Sequence, residues 1–220
     1  GDNGCSLCTL ACPRFREWES EIDQTLFGRT RRPEELIGQY QEIYLGRALE
    51  PESLMAGQDG GVVSALLIWG LETGQIDAAA TSVLSNERTW DCEPALVTDR
   101  EGVLAGAGSR YTYSANPLAL LQAAERGLSK VALVGMGCQS SSPPAMSVRK
   151  AGKVARKFAL NIGLLCSKTF DDSIFEELFW TKYGLAKQDM VKMNIKGVFQ
   201  IWMRDGAYHE INLKECHAWT

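Results

Sequence analysis

Three cysteines near the start of the chain share a spacing used for binding iron–sulfur clusters. Cys5, Cys8 and Cys12 are separated by two and three residues, and Pro13 follows the last of them. Thiolates two residues apart can reach neighbouring irons of one cluster, and a cysteine before proline can ligate a second cluster. Asp2 stands where the full four-cysteine run has its first thiolate. The spacing therefore predicts a [4Fe-4S] site with Cys5, Cys8 and Cys12 as ligands.

Asp2 leaves several ligand sets open. A carboxylate could replace one thiolate, the site could hold a three-iron cluster, or a further cysteine could lie upstream of Gly1. Zinc binding and free thiols are the other interpretations. The cysteine–proline ending of the run favours iron–sulfur over zinc.

Two further cysteines follow apolar runs that read as buried strands. Cys138 comes after residues 130–135 on a glycine-rich turn, and Cys166 comes at the end of residues 158–166. Ligands of open α/β sheets gather at the carboxyl ends of strands. Both are therefore predicted to be metal or redox groups rather than core residues, whereas Cys92 is expected in a polar loop without a role.

Two loops rich in glycine and hydroxyl groups could bind a phosphate-bearing cofactor. Gly60 and Gly61 precede a predicted helix over residues 62–72, whose first N–H groups would face an anion such as a diphosphate. Residues 106–114 combine hydroxyls, one guanidinium and aromatic rings, a mixture that suits phosphate binding and ring stacking. Each loop could instead be an ordinary helix start or a surface turn.

A basic run follows in an otherwise acidic chain. Its members are Arg149, Lys150, Lys153, Arg156 and Lys157. A solvated helix face is one interpretation, and a site for a polyanionic ligand tail is the other.

Helical and strand-like segments alternate around these residues. Strands are predicted at 77–84, 95–98, 130–135 and 158–166, with a hairpin over 198–213. The predicted helices span residues 62–72, 117–127, 148–157 and 173–183. Residues 99–102 are expected to form a turn. The alternation predicts an α/β fold (an α+β mixed sheet) that follows an N-terminal, ferredoxin-like, cysteine-rich segment.

Composition excludes several classes of protein. The 220 residues carry a net charge of −4, which argues against general nucleic-acid binding. No apolar run approaches the roughly 20 residues of a membrane span, and the first residues lack the plan of a signal peptide. A cytoplasmic protein is expected. Because the chain begins with Gly1 and stops at Thr220, one or both ends are expected to be missing.

The order of these motifs resembles the coenzyme F420 hydrogenase/dehydrogenase beta-subunit family. Residues 60–67 and 71–77 look like its N-terminal signature, and 108–111 match its Gly-Ser-Lys/Arg-Tyr element. Residues 134–139 and 162–167 resemble its G-x-P-C-Q and strand–cysteine motifs. The likeness extends from Cys5 onward.

The resemblance implies FAD, lying between a site for deazaflavin or substrate and iron–sulfur clusters, with coenzyme F420 as co-substrate. The implied flavin contacts are Gly60, Gly61, Val62, Ser64, Ser109, Arg110 and Tyr111. Cys138 and Cys166 become cluster ligands, and Arg149, Lys150 and Lys153 are candidates for the carboxylate-rich tail of F420. A redox partner subunit or ferredoxin is expected, and no acid–base residue is expected to be indispensable.

Under this resemblance the chain divides into a ferredoxin-like segment and arm (1–47), a flavin-binding part (48–127) and a C-terminal part (128–220). Gly137 departs from the family by replacing the proline before the cysteine. Two other functions stay open. One is a ferredoxin-driven reductase of a tetrapyrrole or other unsaturated substrate, and the other is a non-catalytic relay subunit that holds clusters without flavin.

Overall fold

The computed structural model describes residues 9, 12, 13, 15, 17–85, 90–149, 152–166 and 168–220. An N-terminal arm comes first. Helix α1 (Glu19–Phe27) buries Ile22, and irregular chain with mostly exposed apolar side chains leads on to helix α2 (Pro51–Ala56). Within the described ranges, no helix has the length and apolar composition needed to cross a bilayer.

The first sheet has four strands and mixed direction. They are β1 (Ala78–Leu84), β2 (Cys92–Val97), β3 (Val131–Met136) and β4 (Phe158–Leu164), in the order β2-β1-β3-β4. β1, β3 and β4 run parallel, and β2 pairs antiparallel with β1 at the edge. The predicted mixed α/β sheet is confirmed.

Helices cover both faces of this sheet, which is why its parallel strands read as continuous apolar runs. Helices α3 (Val62–Glu72) and α4 (Arg100–Ala105) pack on the face that carries Ala79, Ala132 and Val134. A short 3-10 helix (Asn116–Leu118) and α5 (Ala119–Glu125) pack against Ala80, Val131 and Leu133.

Three short helices connect β3 to β4: α6 (Gly137–Ser140), α7 (Ser142–Val148) and α8 (Gly152–Ala155). The predicted single helix over 148–157 is therefore wrong in extent. β4 contains one extra residue, because Val131 pairs with Phe158 whereas Ala132 pairs with Leu160. Beyond this bulge the strands run in step until Met136 lies opposite Leu164.

The second sheet is antiparallel. It consists of β5 (Met190–Ile195), β6 (Val198–Met203) and β7 (Tyr208–Asn212), and the last two are the predicted hairpin. The remaining elements are a π-helix (Phe175–Trp180), helix α9 (Thr181–Tyr183) and 3-10 helices at Lys187–Asp189 and Leu213–Trp219. Phenylalanines from the π-helix and from β6 meet edge to face in the core of this half.

Two local predictions are wrong. Residues 99–102 begin helix α4 rather than a turn, because the Asp99 carboxylate caps the helix by accepting the N–H of Gly102 at 2.8 Å. Cys92 is buried at the start of β2 rather than placed in a polar loop, since the antiparallel pairing with β1 continues to Leu84 opposite Cys92.

Candidate functional site

The two glycine-rich loops predicted to bind a cofactor lie against each other. The N–H of Ser109 donates to Oε1 of Gln58 at 3.4 Å. A Cβ placed on Gly108 would lie 3.7 Å from the Ala56 carbonyl oxygen. The structure therefore brings the segment before α3 and the segment around Arg110 into one neighbourhood.

Helix α3 begins without a side-chain cap. Gly61 is its N-cap residue, with a φ of 65°, and no side chain accepts a bond from the first turn. A Cβ on Gly61 would lie 2.3 Å from the Ser53 carbonyl oxygen, so only glycine fits between α2 and α3. Val62 is exposed in the first turn and Ser64 is buried. The N–H groups at the positive end of this 11-residue helix can bind an anion.

Arg110 carries a largely buried charge in the second loop. Its Nη1 donates to the carbonyl oxygens of Ala107 (3.1 Å) and Ser109 (3.3 Å), while its buried Nε has no hydrogen-bond partner. In the described part of the chain, no carboxylate pairs with the guanidinium. Burial lowers the pKa of Arg110. A buried cation with an unused N–H is poorly satisfied until an anion reaches it.

Cys92 is the titratable side chain that interacts electrostatically with Arg110. Its Sγ lies 3.3 Å from Oγ1 of Thr112, within hydrogen-bonding distance. Burial raises the pKa of the Cys92 thiol, so it stays neutral at physiological pH. It therefore supplies no negative charge to Arg110.

Tyr111 joins the second loop to the antiparallel sheet. Its ring packs against Phe199 with centroids 5.8 Å apart. Its hydroxyl accepts the N–H of Ile195 at 3.0 Å and lies 3.3 Å from Oδ1 of Asn194. Burial raises the pKa of this phenol, so it remains a hydrogen-bond donor.

Cys138 and Cys166 follow the ends of neighbouring parallel strands, Cys138 within helix α6. Each lies two residues beyond the register pair Met136 and Leu164, and both thiols are exposed. Thr169 connects the two strand ends, since its Oγ1 lies 3.4 Å from Sδ of Met136 and 3.5 Å from Sγ of Cys166.

Gln139 ties the Cys138 turn to the loop of Arg110. Its Nε2 donates to the Ser114 carbonyl oxygen at 2.5 Å, and its Oε1 accepts the N–H of Met136. Its side chain lies over Gly135, where a Cβ would approach it to 2.8 Å. The turn of Cys138 and the loop that carries Arg110 are therefore connected through one side chain.

The N-terminal cysteines are described only in part. Cys5 and Cys8 lie outside the described residues, and Cys12 is half-buried in a turn in which the N–H of Phe15 donates to its carbonyl oxygen. Among the residues that the structure does describe, no three histidine, cysteine or acidic side chains gather as a metal site.

Arg149 is engaged with the N-terminal arm. Its Nε lies 3.2 Å from a Glu21 carboxylate oxygen, its Nη2 donates to the Glu17 carbonyl oxygen at 2.7 Å, and its side chain is only 9% exposed. Lys150 and the side chain of Lys153 lie outside the described residues. The structure therefore places one of the three predicted F420-binding cations, against α1.

Sequence reasoning missed Asn194, which contacts both loops, because β5 was not predicted. The signal was available in part: the polar residues Lys192, Asn194 and Lys196 alternate with apolar positions before Gly197. An asparagine inside such a run is a candidate for a buried hydrogen-bonding role.

Family models match most of the chain. The model described as coenzyme F420 hydrogenase/dehydrogenase, beta subunit N-term, covers residues 43–121, and the model of the C terminus covers residues 128–220.

Individual relatives agree with these matches. The chain is 32% identical to the coenzyme F420 hydrogenase subunit beta of Methanothermobacter thermautotrophicus, over 84% of this chain and 66% of that protein. It is 30% identical to the coenzyme F420-dependent sulfite reductase of Methanocaldococcus jannaschii, over 96% of this chain and 37% of that protein. The chain thus spans just under two thirds of the first of these relatives.

A solved structure shares the fold. A chain of the F420-reducing [NiFe] hydrogenase complex from Methanosarcina barkeri superposes with a TM-score of 0.72 at 27% identity, covering 82% of this chain and 66% of that one. Family models, individual relatives and fold all agree. The chain belongs to the coenzyme F420 hydrogenase/dehydrogenase beta-subunit family.

Proposed function

We propose that this chain is the flavin-binding and electron-transferring part of a coenzyme F420-linked oxidoreductase. The observation that carries the proposal is Arg110, whose Nε is buried and unpartnered and whose guanidinium has no carboxylate partner in the described part of the chain. Its loop is joined through Gln58 to the uncapped start of α3. Together these groups offer the positive charge and free N–H donors that the diphosphate of FAD requires. The residues present therefore fit this cofactor.

When bound there, FAD would supply two-electron exchange with F420 and one-electron exchange with iron–sulfur clusters. The side chains of this protein bind and orient. Arg110, Ser109 and the first turn of α3 (Val62, Ser64) hold phosphate oxygens. Tyr111 closes the loop against Phe199 and excludes water from it. These side chains bind and orient, and none is assigned a proton transfer.

The strand-end cysteines fit a cluster site in part. Cys138 and Cys166 present two exposed thiols from adjacent strands, half the number that a cubane cluster needs. We assign Cys5, Cys8 and Cys12 to a separate ferredoxin-like cluster. A redox partner subunit or ferredoxin would exchange electrons with these sites.

The carboxylate-rich tail of F420 is proposed to bind Arg149, Lys150 and Lys153. Arg149 would have to exchange its contact with Glu21 for the coenzyme. It would also have to give up its bond to the Glu17 carbonyl oxygen.

The proposal is tested by purifying the protein anaerobically and assaying flavin, iron and sulfide on the same sample. Flavin together with iron and sulfide is expected, and reduced F420 should bleach the flavin bands in stopped-flow mixing. Iron and sulfide without flavin would instead identify a relay subunit. A colourless protein that contains zinc would overturn the proposal.

A matched pair of variants tests the cluster assignment. Cys138→Ser removes an exposed thiol at the strand ends and should lower the iron content. Cys216→Ala removes a buried thiol beside the second sheet, whose pKa burial raises to about 11, and should leave the iron content unchanged. Equal iron loss in both variants would contradict the assignment.

A reductase is the second candidate. The observation that favours it is the reach of the match to the F420-dependent sulfite reductase, which covers 96% of this chain against 84% for the hydrogenase subunit. Electron delivery from reduced F420 to sulfite rather than to a viologen dye would distinguish this function.

A further inference from the structure

Asn194 lies near the end of β5, where the segment before α3 that contains Gln58 and the loop around Arg110 meet the antiparallel sheet. Only 8% of the residue is exposed. Its Oδ1 accepts a hydrogen bond from Nε2 of Gln58 and one from its neighbour Ile195 (2.7 Å), and it lies 3.3 Å from the hydroxyl of Tyr111. Three donors from three segments therefore converge on one oxygen atom.

These contacts close a ring. Gln58 donates to Asn194 and, with its Oε1, accepts the N–H of Ser109 at 3.4 Å. Ser109 is followed by Arg110 and Tyr111, and the Tyr111 hydroxyl returns to Asn194. The separation between the segment of Gln58 and the loop of Arg110 is thus set by the buried side-chain amide of Asn194.

We propose that Asn194 is a positioning residue that fixes the geometry of the anion site between the two loops. The inference rests on the proposed flavin function for what the site binds, but not for the contacts themselves. The amide oxygen is required because all three neighbours are donors. The nearby ion pair of Lys196 with Asp59 (3.1 Å) cannot replace it, since both of its side chains are exposed and such pairs are weak.

The chemistry predicts which substitutions are tolerated. Asn194→Asp keeps an acceptor for all three donors. Asn194→Leu removes the acceptor of the Gln58 amide and of the Tyr111 hydroxyl, and it leaves the Ile195 N–H only its bond to that hydroxyl. Gln58→Glu places a carboxylate oxygen against Oδ1 of Asn194, acceptor to acceptor, and breaks the ring. Tyr111→Phe removes one donor and keeps the ring packing on Phe199.

The test uses the full chain and two readouts: amide hydrogen exchange of residues 106–111, and the Kd of FAD after flavin removal and reconstitution. Asn194→Leu and Gln58→Glu should accelerate exchange at Ser109 and raise the Kd, each roughly 10- to 100-fold. Tyr111→Phe should act in the same direction with a smaller effect, and it serves if Asn194→Leu does not fold. Asn194→Asp should leave the exchange within about threefold of the parent.

Asp77→Ala is the structural control. The Asp77 carboxylate accepts the N–H groups of Ser129 (3.1 Å) and Lys130 (3.0 Å) just before β1 and β3 begin. It therefore lies at the amino-terminal ends of these strands, away from the cysteines. Asp77→Ala should lower the Tm without changing either readout. Unchanged exchange or unchanged Kd in Asn194→Leu would overturn the positioning role. If the parent protein binds no FAD while Asn194→Leu still exchanges faster, the flavin proposal fails and the positioning role stands.

Discussion

Replacing Arg110 with methionine should weaken FAD binding while leaving the flavin-free protein about as stable as the parent. A hydrogen bond from a charged donor contributes about 1.5–3 kcal/mol, so the Kd for FAD should rise roughly 10- to 150-fold. Without flavin, the substitution removes two bonds to the carbonyl oxygens of Ala107 and Ser109. It also removes a buried charge and the unpartnered Nε. These opposing effects are of similar size, so the net change should stay within about 1 kcal/mol.

The assay measures both quantities on the same preparations. Flavin is removed, the Tm of the flavin-free protein is recorded, and FAD is titrated back by fluorescence quenching. A change of 1 kcal/mol corresponds to a Tm shift of about 2–4 °C in a protein of this size. Arg110→Lys keeps the charge but loses the planar donors, so it should fall between the parent and Arg110→Met.

Arg100→Met is the matched control, because Arg100 pairs with Glu50 and Glu72 at the surface and has no part in the proposed site. It should leave the Kd unchanged. The reasoning is refuted if Arg110→Met binds FAD as tightly as the parent. It is also refuted if the flavin-free variant loses more than about 2 kcal/mol, since Arg110 would then act as an ordinary structural residue.

Three further predictions follow from contacts elsewhere. Gly61→Ala should lower the Tm by several degrees more than Gly74→Ala, because both glycines have positive φ but only Gly61 has backbone within 2.3 Å of an added Cβ; equal losses would contradict the contact with Ser53. Arg149→Ala should make α1 more sensitive to limited proteolysis; unchanged proteolysis with a raised KM for F420 would instead assign Arg149 to the coenzyme. The pKa of Glu35 is lowered from 4.5 to about 2 by hydrogen bonds from the Arg29 guanidinium and the Arg32 N–H. The turn it holds should therefore be fully stabilised above pH 4.5 and lose that stabilisation as the pH falls towards 2, which an NMR titration of the carboxyl carbon checks.

The sequence was most informative where burial makes a continuous pattern. The strand before Cys138 and the helix after Gly61 were both predicted. A parallel strand covered on two faces and a largely buried helix are apolar at most positions, so the sequence shows them as nearly continuous apolar runs. The sequence also predicted that Cys138 and Cys166 follow the ends of strands, but it did not indicate that these two strands are neighbours. Helix α4 was missed because its start depends on the single capping side chain of Asp99, which reads equally well as a turn residue.

The contacts between distant segments could not be predicted. The bond from Gln58 to Asn194 joins residues 136 positions apart, and nothing in either local pattern specifies that partner. Arg149 reads as part of a basic surface, yet it is nearly buried against Glu21. Charge patterns indicate which residues carry charge, but tertiary packing decides which of those charges reach solvent.

The bulge in β4 determines which residue of that strand follows the last pair of the register with β3. If the same sequence paired without a bulge, Met136 would lie opposite Gly163, and Leu165 rather than Cys166 would come two residues after the last pair. Deleting one residue between the bulge and Cys166 would shift Cys166 by about 3.3 Å along the strand and turn it to the opposite face of the sheet, whereas deleting the extra residue itself would leave the later pairs unchanged. The number of residues between the bulge and Cys166 is therefore constrained as well as their packing. A graft that changes this number moves the Cys166 thiol relative to Cys138 even when every other side chain is kept.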